Sequence, residues 1–434
     1  MATKTKTKKT EITTDLIEET EPAETTEVAV IPKKGSAKTT KATKVLSMDE
    51  MEKEMSAFLL KSTGVKIQSI KDVDVVKKYI NTGNYSLNFA ITGDLTKGLP
   101  AGRIYSFEGE SGKGKSLQTC AISLQNAMTD IAIIIDIENA LTGDFLTKIA
   151  NNNSELANKV KIVNDIYTIE DLQNFLNKLI QFQLSKPEKN RPQISISIDS
   201  WSILTSKHEI EVVEKDEGKK DMSKAVAARQ LLRALGGKFK EANITPMLVM
   251  HLTQNIGVMF GEKTVPASHG NAALFMSTTR FKLYATEEIV DKNKNPIGTI
   301  LNFKTVKNRF TYKNKTAKIA FYFSGPKIGI DRFSGLPETL TTWGIFEASA
   351  KKVTESTTFT YVRDGEEFEF KLKNFEAFIE EMGGEESFIN ELNEKLKKAI
   401  SGVEVDDNPE NFEADDEDVA DGLDAIIKGE NKWK

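Results

Sequence analysis

Residues 109–116 read GESGKGKS and lie between an apolar run and a helix pattern, which leaves few folds open to the chain. The apolar run at residues 104–107 predicts a strand, and a helix pattern starts at Lys115. The segment matches the pattern GxxxxGK[ST]. A strand, a glycine-rich turn and a helix N-terminus together direct backbone N–H groups at a phosphate, so this order predicts a nucleotide-binding loop.

The predicted loop suggests a contact for each of its polar groups. Its glycines allow the backbone N–H groups to point inward at phosphate oxygens. We expect the Lys115 ammonium at the β- and γ-phosphates and the Ser116 hydroxyl on Mg²⁺. The candidate nucleotide-binding residues of the loop are Gly109, Glu110, Ser111, Gly112, Lys113, Gly114, Lys115 and Ser116. The alternative is a chance glycine-rich turn, which the flanking strand and helix patterns disfavour.

Apolar runs alternate with helix patterns through the middle of the chain. Runs at residues 131–137, 195–199 and 246–251 predict buried strands, and helix patterns at 172–182 and 225–241 lie between or beside them. This alternation is typical of an α/β fold with a parallel, doubly wound sheet. Later apolar runs at 281–285, 300–305 and 319–323 are separated by polar gaps and predict hairpins.

Two of the predicted strands end in acidic side chains. Asp136 and Glu138 close the first, and Asp199 closes the second. In such a sheet, ligands bind outside the carboxyl ends of the strands. We expect Asp199 to hold Mg²⁺ directly or through water, and Glu138 to orient and deprotonate a water, with Asp136 as the rival for that role. The alternative for each acid is a helix cap or a solvated loop position.

The composition divides the 434 residues into five segments. Residues 1–46 are rich in Lys, Thr and Glu and are predicted to be disordered, and 47–83 are predicted to form a helical element. The ATPase-type core is expected at 84–336, followed by a small α+β unit at 337–403 with an Asp-Gly hairpin signal. Residues 404–434 form an acidic tail.

Several classes of protein are disfavoured by composition. No apolar run approaches the roughly 20 residues that span a bilayer, and the N-terminus lacks the apolar stretch of a secretory signal. The single cysteine, Cys120, excludes an internal disulfide framework. We therefore expect a soluble protein of the cytoplasm without a membrane partner. The net charge of −5 does not exclude nucleic acid as a partner, because the charges are segregated along the chain.

Three stretches resemble RecA and its phage relatives of the UvsX type. They are IDIENAL at 135–141, SIDS at 197–200 followed by EIE at 209–211, and IGVMFG at 256–261 with Gly270 and Asn271 after it. The last stretch is far more specific than the phosphate loop, which many NTPases share. The resemblance covers about residues 84–336. It implies a RecA-like P-loop NTPase core with a mainly parallel central sheet, a small N-terminal helical element and a small C-terminal α+β unit. The resemblance also implies that the helical element at 47–83 serves oligomerisation, and the alternative is packing on the chain's own core.

The activity implied by this resemblance is that of a DNA-dependent ATPase with ATP and Mg²⁺ as cofactors. Such a protein forms a helical filament on single-stranded DNA and promotes homologous pairing and strand exchange with double-stranded DNA. A single-strand-binding protein and a loader are further candidate partners. The alternatives are a RecA-like hexameric helicase or repair motor, and a non-catalytic ATP-binding mediator of recombination.

Individual site residues follow from the same resemblance. Glu138 matches the family's catalytic glutamate, and Phe145 falls where an aromatic side chain, more usually tyrosine, contacts adenine. His251 occupies the position of the γ-phosphate sensor, where bacterial RecA has glutamine and the UvsX type has histidine. This histidine favours a phage source, and hence the cytoplasm of a bacterial host. Lys307 and Arg309 align with an element that reaches the nucleotide of a neighbouring subunit, although Arg309 replaces a lysine.

Two segments are expected to bind DNA. Apolar residues in the loop at 252–270 resemble those that wedge between groups of stacked bases, and the charged loop at 209–223 offers cations for phosphates. Phosphate contacts position a strand without reading its sequence, so we expect salt-sensitive, largely sequence-independent binding. The candidate DNA-binding residues are Lys219, Lys220, Lys224, Arg229, Arg233, Ile256, Gly257, Val258, Met259, Phe260, Gly270 and Asn271. The alternatives are core packing for the apolar run and solvation for the charged loop.

Overall fold

The computed structural model describes residues 47–67, 76–214, 223–254, 264–266, 271–325 and 327–402. The chain divides into two compact units, residues 1–74 and 75–434. The described part of the first unit contains helix α1, Met48–Thr63. Ser47 and Glu50 cap its start reciprocally, and Gly64 ends it with a φ of 73°. The predicted helical element at 47–83 therefore starts with a helix, whereas residues 79–80 near its end form a short strand.

The second unit contains the remaining helices and all the described strands. Its helices are α2 Tyr85–Thr92, α3 Lys115–Ala127, α4 Gly143–Ile149, α5 Ser154–Lys159, α6 Ile169–Leu184, α7 Lys207–Glu214, α8 Ser223–Glu241, α9 Asn271–Met276, α10 Leu336–Thr342, α11 Phe375–Glu381 and α12 Glu385–Ser401. Its strands are β1 Tyr79–Ile80, β2 Leu99–Pro100, β3 Tyr105–Gly109, β4 Ile131–Asp136, β5 Lys161–Val163, β6 Ile194–Asp199, β7 Ile244–Gln254, β8 Thr264–Pro266, β9 Thr279–Val290, β10 Pro296–Lys307, β11 Thr316–Tyr322, β12 Gly329–Ile330, β13 Phe346–Ala348, β14 Thr358–Arg363 and β15 Glu366–Lys371. Among these helices, none combines the length and the apolar composition that crossing a bilayer requires.

A large, mainly parallel sheet organises the second unit. Its strand order is β12-β11-β10-β9-β3-β7-β6-β4-β5, with β8 paired to β7. The strands from β9 through β5 run parallel, whereas β10, β11 and β12 continue the sheet as antiparallel strands. The α/β fold with a parallel central sheet and later hairpins is thus confirmed.

Both faces of this sheet are covered, which explains the continuous apolar runs of its strands. Along β4, Ala132 and Ile134 belong to one buried cluster that includes α3, while Ile133 and Ile135 belong to a second cluster that includes α6 and α8. A strand buried on both faces has no polar side to alternate with its apolar one. The sheet therefore presents its strand ends, rather than its faces, to ligands.

The C-terminal part of the chain forms a small sheet, in the order β13-β14-β15, with α11 and α12. Asp364 and Gly365 form the predicted hairpin turn, with φ values of 54° and 86°. Its aromatic core also includes Phe89 of α2, and Asn393 of α12 accepts a hydrogen bond from the Leu95 backbone N–H at 2.9 Å. The predicted division near residue 336 therefore runs through a continuous core.

The two predicted DNA loops contain more regular structure than the sequence suggested. In the first, residues 209–214 belong to α7, whose start is stabilised by the Ser206 hydroxyl accepting from the Glu209 N–H at 3.0 Å. In the second, β7 continues to Gln254 and pairs with β8. The expectation of a loop over all of 209–223 and 252–270 was wrong, because a local cap and strand pairing outweigh the polar or glycine-rich composition.

Candidate active site

The phosphate-loop motif lies between β3 and α3, as its pattern predicted. Gly112 and Gly114 have φ values of 74° and 78°, which glycine adopts readily. A Cβ on Gly114 would lie 2.5 Å from Leu301 Cδ2, and one on Gly109 would lie 2.8 Å from the Leu283 carbonyl oxygen. The backbone of β9 therefore requires glycine at 109, whereas a side chain at 114 would displace the Leu301 side chain of β10.

Lys115 opens α3 and is almost completely buried. Its Nζ donates a hydrogen bond to the Glu110 carbonyl oxygen at 2.6 Å. Burial lowers its pKa, although the charges of Asp199, Glu138 and Glu110 oppose that effect. A buried ammonium among carboxylates at the start of a helix is suited to an anion that brings several negative oxygens.

Asp199 ends β6, directly opposite Asp136 of β4 in the sheet register. Its side chain is only 5% exposed. This burial raises the pKa of Asp199 to about 6, against the opposing effect of a hydrogen bond with the Ser116 side chain.

The structure thus brings together the two predicted Mg²⁺ ligands, Ser116 and Asp199. A hydroxyl and a carboxylate are hard oxygen donors that fit Mg²⁺ when substrate phosphates supply further ligands. Within the described residues, no cluster of three or more His, Cys, Asp and Glu side chains could hold a metal alone.

The Asp136 carboxylate is engaged by the chain that follows β4. Its Oδ1 accepts from the Ala140 N–H at 3.3 Å, and its Oδ2 accepts from the Leu141 N–H at 2.9 Å. Asp136 is buried, whereas the side chain of Glu138 is 31% exposed. Asp136 therefore shapes the turn that carries Glu138, and this geometry favours Glu138 over Asp136 as the candidate general base.

Glu138 and His251 are in direct contact, with Glu138 Oε1 2.9 Å from His251 Nε2. His251 lies on β7 opposite Gly109 in register, and its backbone N–H donates to the Ser202 hydroxyl at 3.0 Å. Burial acts to raise the pKa of Glu138, but the hydrogen bond from His251 and the charge of Lys115 outweigh it and hold the pKa below its ordinary value. The candidate base is therefore ionised near neutral pH and paired with the candidate sensor.

Thr142, three residues before the predicted adenine contact Phe145, has a structural role that the sequence did not indicate. The Thr142 hydroxyl caps α4 by accepting from the Phe145 backbone N–H at 3.2 Å. The Phe145 ring is partly buried against the first core cluster. Thr142 thus stabilises a helix terminus, and the contact between Phe145 and adenine stays a prediction.

An ion pair beside the site was missed by sequence reasoning. Glu108 is 1% exposed and accepts two hydrogen bonds from Arg280, at 2.8 and 2.7 Å, and one from the Ser106 hydroxyl at 2.6 Å. Glu108 directly precedes the phosphate loop, and Arg280 lies on the adjacent strand β9. The available signal was an acid inside an otherwise apolar strand, which nearly always needs a buried partner.

Lys307 is the last residue of β10, and Arg309 lies two residues after it. Lys307 is partly buried and donates to the carbonyl oxygens of Leu274 and Phe275, at 3.2 and 2.8 Å. Arg309 is exposed to solvent. Their predicted reach to a neighbour's nucleotide stays a prediction.

The predicted DNA-binding residues are only partly within the described chain. Arg229 and Arg233 lie exposed on α8, whereas Lys224 is partly buried and its Nζ lies 3.8 Å from Glu209 Oε2. This burial and pairing leave Lys224 less available to a phosphate than the two arginines. Asn271 begins α9, but its side chain is outside the described structure. Lys219, Lys220, Ile256, Gly257, Val258, Met259, Phe260 and Gly270 lie outside the described residues.

Comparisons with known proteins give a consistent result. A family model described as the RecA N-terminal domain matches residues 44–328. RecA of Mycoplasma mycoides is 28% identical over 309 residues, covering 70% of this chain and 79% of that protein. RecA of Kineococcus radiotolerans is 28% identical over 258 residues, covering 59% and 68%, and RecA of Mycobacterium ulcerans is 26% identical over 331 residues, covering 76% and 86%. All three relatives are bacterial proteins, so the phage source suggested by His251 stays a prediction.

Proposed function

The chain belongs to the RecA family, and from this premise we propose that it is an ATP-dependent recombinase that assembles on single-stranded DNA. In this proposal it promotes homologous pairing and strand exchange with double-stranded DNA. The proposal combines a RecA-like core, a complete phosphate loop and a set of polar side chains at the carboxyl ends of β3, β4, β6 and β7.

The observation that carries the proposal is the contact between Glu138 and His251 at 2.9 Å. Glu138 is the candidate base for hydrolysis. His251 lies on the strand that leads into the second predicted DNA loop. One hydrogen bond therefore joins the group that would cleave ATP to the element that would bind DNA. A γ-phosphate at Lys115 offers His251 a second acceptor, so the nucleotide state changes the hydrogen-bond partner of this residue of β7.

Hydrolysis is assigned to the side chains as follows. Lys115 binds the β- and γ-phosphate oxygens, and Ser116 and Asp199 hold Mg²⁺, which neutralises phosphate charge when bound. Glu138 accepts a proton from a water whose oxygen attacks the γ-phosphorus, and the bond to the bridging oxygen of ADP breaks. Phe145 packs against the adenine. His251 donates to a γ-phosphate oxygen in the ATP state and returns to Glu138 after phosphate leaves.

DNA binding is assigned to the two segments that follow β6 and β7. Arg229 and Arg233 contact phosphates from α8, together with Lys219, Lys220 and Lys224, and apolar residues 256–260 separate groups of bases. Phosphate contacts of this kind weaken steeply as salt is raised.

Assembly completes the site in this proposal, because Lys307 and Arg309 act on the nucleotide of the next subunit. A head-to-tail contact that does not close generates a helical filament. A single-strand-binding protein and a loader are proposed as further partners, and the bacterial cytoplasm, of the host if the chain is phage-encoded, as the compartment.

The test measures ATP turnover with and without single-stranded DNA, and the exchange of strands between homologous DNA molecules. We expect single-stranded DNA to stimulate turnover and exchange to require ATP. Lys115→Ala should abolish turnover, and Glu138→Gln should retain ATP binding while turnover falls by about 10²-fold or more. Turnover that DNA does not stimulate would favour the mediator alternative, and closed rings on DNA in electron micrographs would favour the helicase.

A further inference from the structure

The short turn that follows β6 is fixed to the core at its centre. It is a 3₁₀-helix, Trp201–Ile203. Trp201 is completely buried in the core cluster that includes α6 and α8. The Ile203 backbone N–H donates to the Ser200 carbonyl oxygen at 3.2 Å, which closes the turn. Ser202, at the middle of the turn, is buried and therefore projects from a restrained backbone.

The Ser202 hydroxyl accepts a hydrogen bond from a part of β7 that β6 does not reach. In the register of the sheet, β6 pairs with β7 as far as Leu248, and β8 pairs with it from Leu252 onwards. His251 lies between these two pairings, and its backbone N–H donates to the Ser202 hydroxyl at 3.0 Å. A backbone donor that is withdrawn from water and left without a partner is costly. The hydroxyl therefore stabilises the strand where its pairing with β6 has ended.

His251 is thus held at two points, one on its backbone and one on its ring. The backbone is bonded to Ser202, and the ring Nε2 lies 2.9 Å from Glu138 Oε1. The side chain is 29% exposed, so the ring is free to change its partner by rotating. In the proposed mechanism the ring leaves Glu138 for the γ-phosphate, and the hydrogen bond to Ser202 then keeps the backbone in place. The same turn directly follows Asp199, so one segment positions both the candidate Mg²⁺ ligand and the candidate sensor.

We propose that Ser202 is a positioning residue for the γ-phosphate sensor. It fixes the backbone of β7 at His251, so that the imidazole moves between the Glu138 carboxylate and a γ-phosphate oxygen while the strand stays in place. Ser202 acts through His251, because its hydroxyl is bonded to the backbone of that residue. This inference rests on the proposed function for the role of His251, whereas the contact between Ser202 and β7 is seen in the structure.

A pair of variants with similar shape isolates the Ser202 hydroxyl. Ser202→Thr keeps a hydroxyl that accepts a hydrogen bond, whereas Ser202→Val replaces that hydroxyl by a methyl group, and Ser202→Ala removes it without adding volume. Ser195→Ala is the matched control. It removes another buried serine hydroxyl of the same segment, on β6, which has no hydrogen-bond partner among the described residues. Circular dichroism and urea unfolding identify the variants that are folded.

ATP turnover in the presence of single-stranded DNA is the first measurement. Ser202→Ala and Ser202→Val should lower kcat by about tenfold and change KM for ATP by less than about twofold, because the lost contact positions a group used in the chemical step. Ser202→Thr and Ser195→Ala should keep both constants within about twofold of wild type. A folded Ser202→Val protein that turns over ATP at the wild-type rate would overturn the proposal.

The His251 ring provides a second measurement that does not depend on turnover. The chain has three histidines, so NMR of protein labelled in its histidine rings gives few signals, and His251→Gln assigns the relevant one. Without nucleotide, this signal should be the same in wild type and Ser202→Thr and should differ in Ser202→Val, because the ring is displaced from Glu138. Mg²⁺ with a non-hydrolysable ATP analogue should move the wild-type signal, and should move the Ser202→Val signal less.

These signals separate a failure of this inference from a failure of the proposed function. Identical His251 signals in wild type and Ser202→Val, with and without the analogue, would refute the positioning role and leave the proposed function intact. A wild-type signal that does not respond to the analogue would refute the sensor and with it the proposed coupling. The nucleotide-free signals would then still show whether Ser202 positions the ring.

Discussion

At the scale of single residues, three carboxylates at neighbouring strand ends have three different environments. Asp136 is bonded to backbone N–H groups, Glu138 is paired with His251, and Asp199 is buried beside Ser116. The same functional group therefore has three uses. The Asp136 carboxylate stabilises a turn, the Glu138 carboxylate stays ionised for proton transfer, and the Asp199 carboxylate is placed to bind a cation. Environment, rather than residue type, separates these roles.

The raised pKa of Asp199 predicts how stability and Mg²⁺ binding depend on pH. Its folded-state pKa, about 6, lies above its ordinary 3.8, so the ionised form destabilises the nucleotide-free protein at higher pH. Asp199→Asn should therefore stabilise that protein at pH 7.5 by up to about 3 kcal/mol, and the gain should shrink as pH falls below about 6. Urea unfolding at several pH values measures this.

The same variant should lose Mg²⁺-dependent ATP binding, and wild type should lose it as pH falls below about 6. Asp136→Asn is the control: it replaces one acceptor oxygen by an NH₂ group and should destabilise the protein by about 1–2 kcal/mol. A destabilised Asp199→Asn protein at pH 7.5 would contradict the conclusion that burial disfavours the ionised Asp199 carboxylate.

At the scale of elements, the phosphate loop is held in shape from outside. Its glycines permit positive φ values, but Gly109 and Gly114 also lie against β9 and β10, where a Cβ would meet Leu283 and Leu301. The antiparallel extension of the sheet therefore supports the nucleotide site as well as completing the core. Composition alone indicates a flexible turn here, whereas packing against β9 and β10 restrains its conformation.

Two alanine substitutions separate backbone strain from this packing. Gly112→Ala and Gly114→Ala face similar φ values of 74° and 78°, but a Cβ at 112 meets nothing within 4 Å and one at 114 meets Leu301 Cδ2 at 2.5 Å. We expect Gly112→Ala to cost about 1 kcal/mol and Gly114→Ala about 2–4 kcal/mol, with a larger loss of ATP affinity.

Chemical unfolding of both variants measures the difference. Adding Leu301→Ala should cost less in the Gly114→Ala background than in wild type, because the methyl group fills part of the space that Leu301 leaves. Equal losses for the two glycine variants would show that Leu301 does not restrain the loop.

At the scale of the whole molecule, the nucleotide site is proposed to lie between subunits, which mixing of inactive variants can test. Lys115→Ala subunits keep Lys307 and Arg309, whereas Arg309→Met subunits keep an intact phosphate loop. Each alone should turn over ATP poorly with DNA present. A one-to-one mixture should recover activity at about a quarter of the sites. These are the sites in which the intact phosphate loop of an Arg309→Met subunit faces the intact Arg309 of a Lys115→Ala subunit.

Mixing Lys115→Ala with Glu138→Gln is the matched control, because both defects affect the same subunit's own site and no arrangement repairs either. Turnover is measured after joint assembly on single-stranded DNA. Absence of recovery in the first mixture would indicate that each site is complete within one subunit.

Local patterns were sufficient to predict the strands around the phosphate loop, the acids at their ends and the Asp364–Gly365 hairpin. These features depend on short-range periodicity, glycine conformation and turn chemistry, all of which are encoded within a few residues. Family resemblance supported Glu138 over Asp136 as the candidate base and added His251 as the candidate sensor. It could not show how far β7 extends, which depends on its pairing with β8. It also could not show the helical part of the first loop, which depends on the Ser206 cap.

Only the tertiary structure decided which side chains meet. Glu138 and His251 are 113 residues apart in the sequence, and Glu108 and Arg280 are 172 apart. Lys307, at the end of β10, donates to carbonyl oxygens at the end of helix α9. Each contact depends on which strands are neighbours in the sheet, with β6 and β7 following β4 and with β9 beside β3. Strand order arises from the burial of both sheet faces over the whole chain, and no local periodicity specifies it.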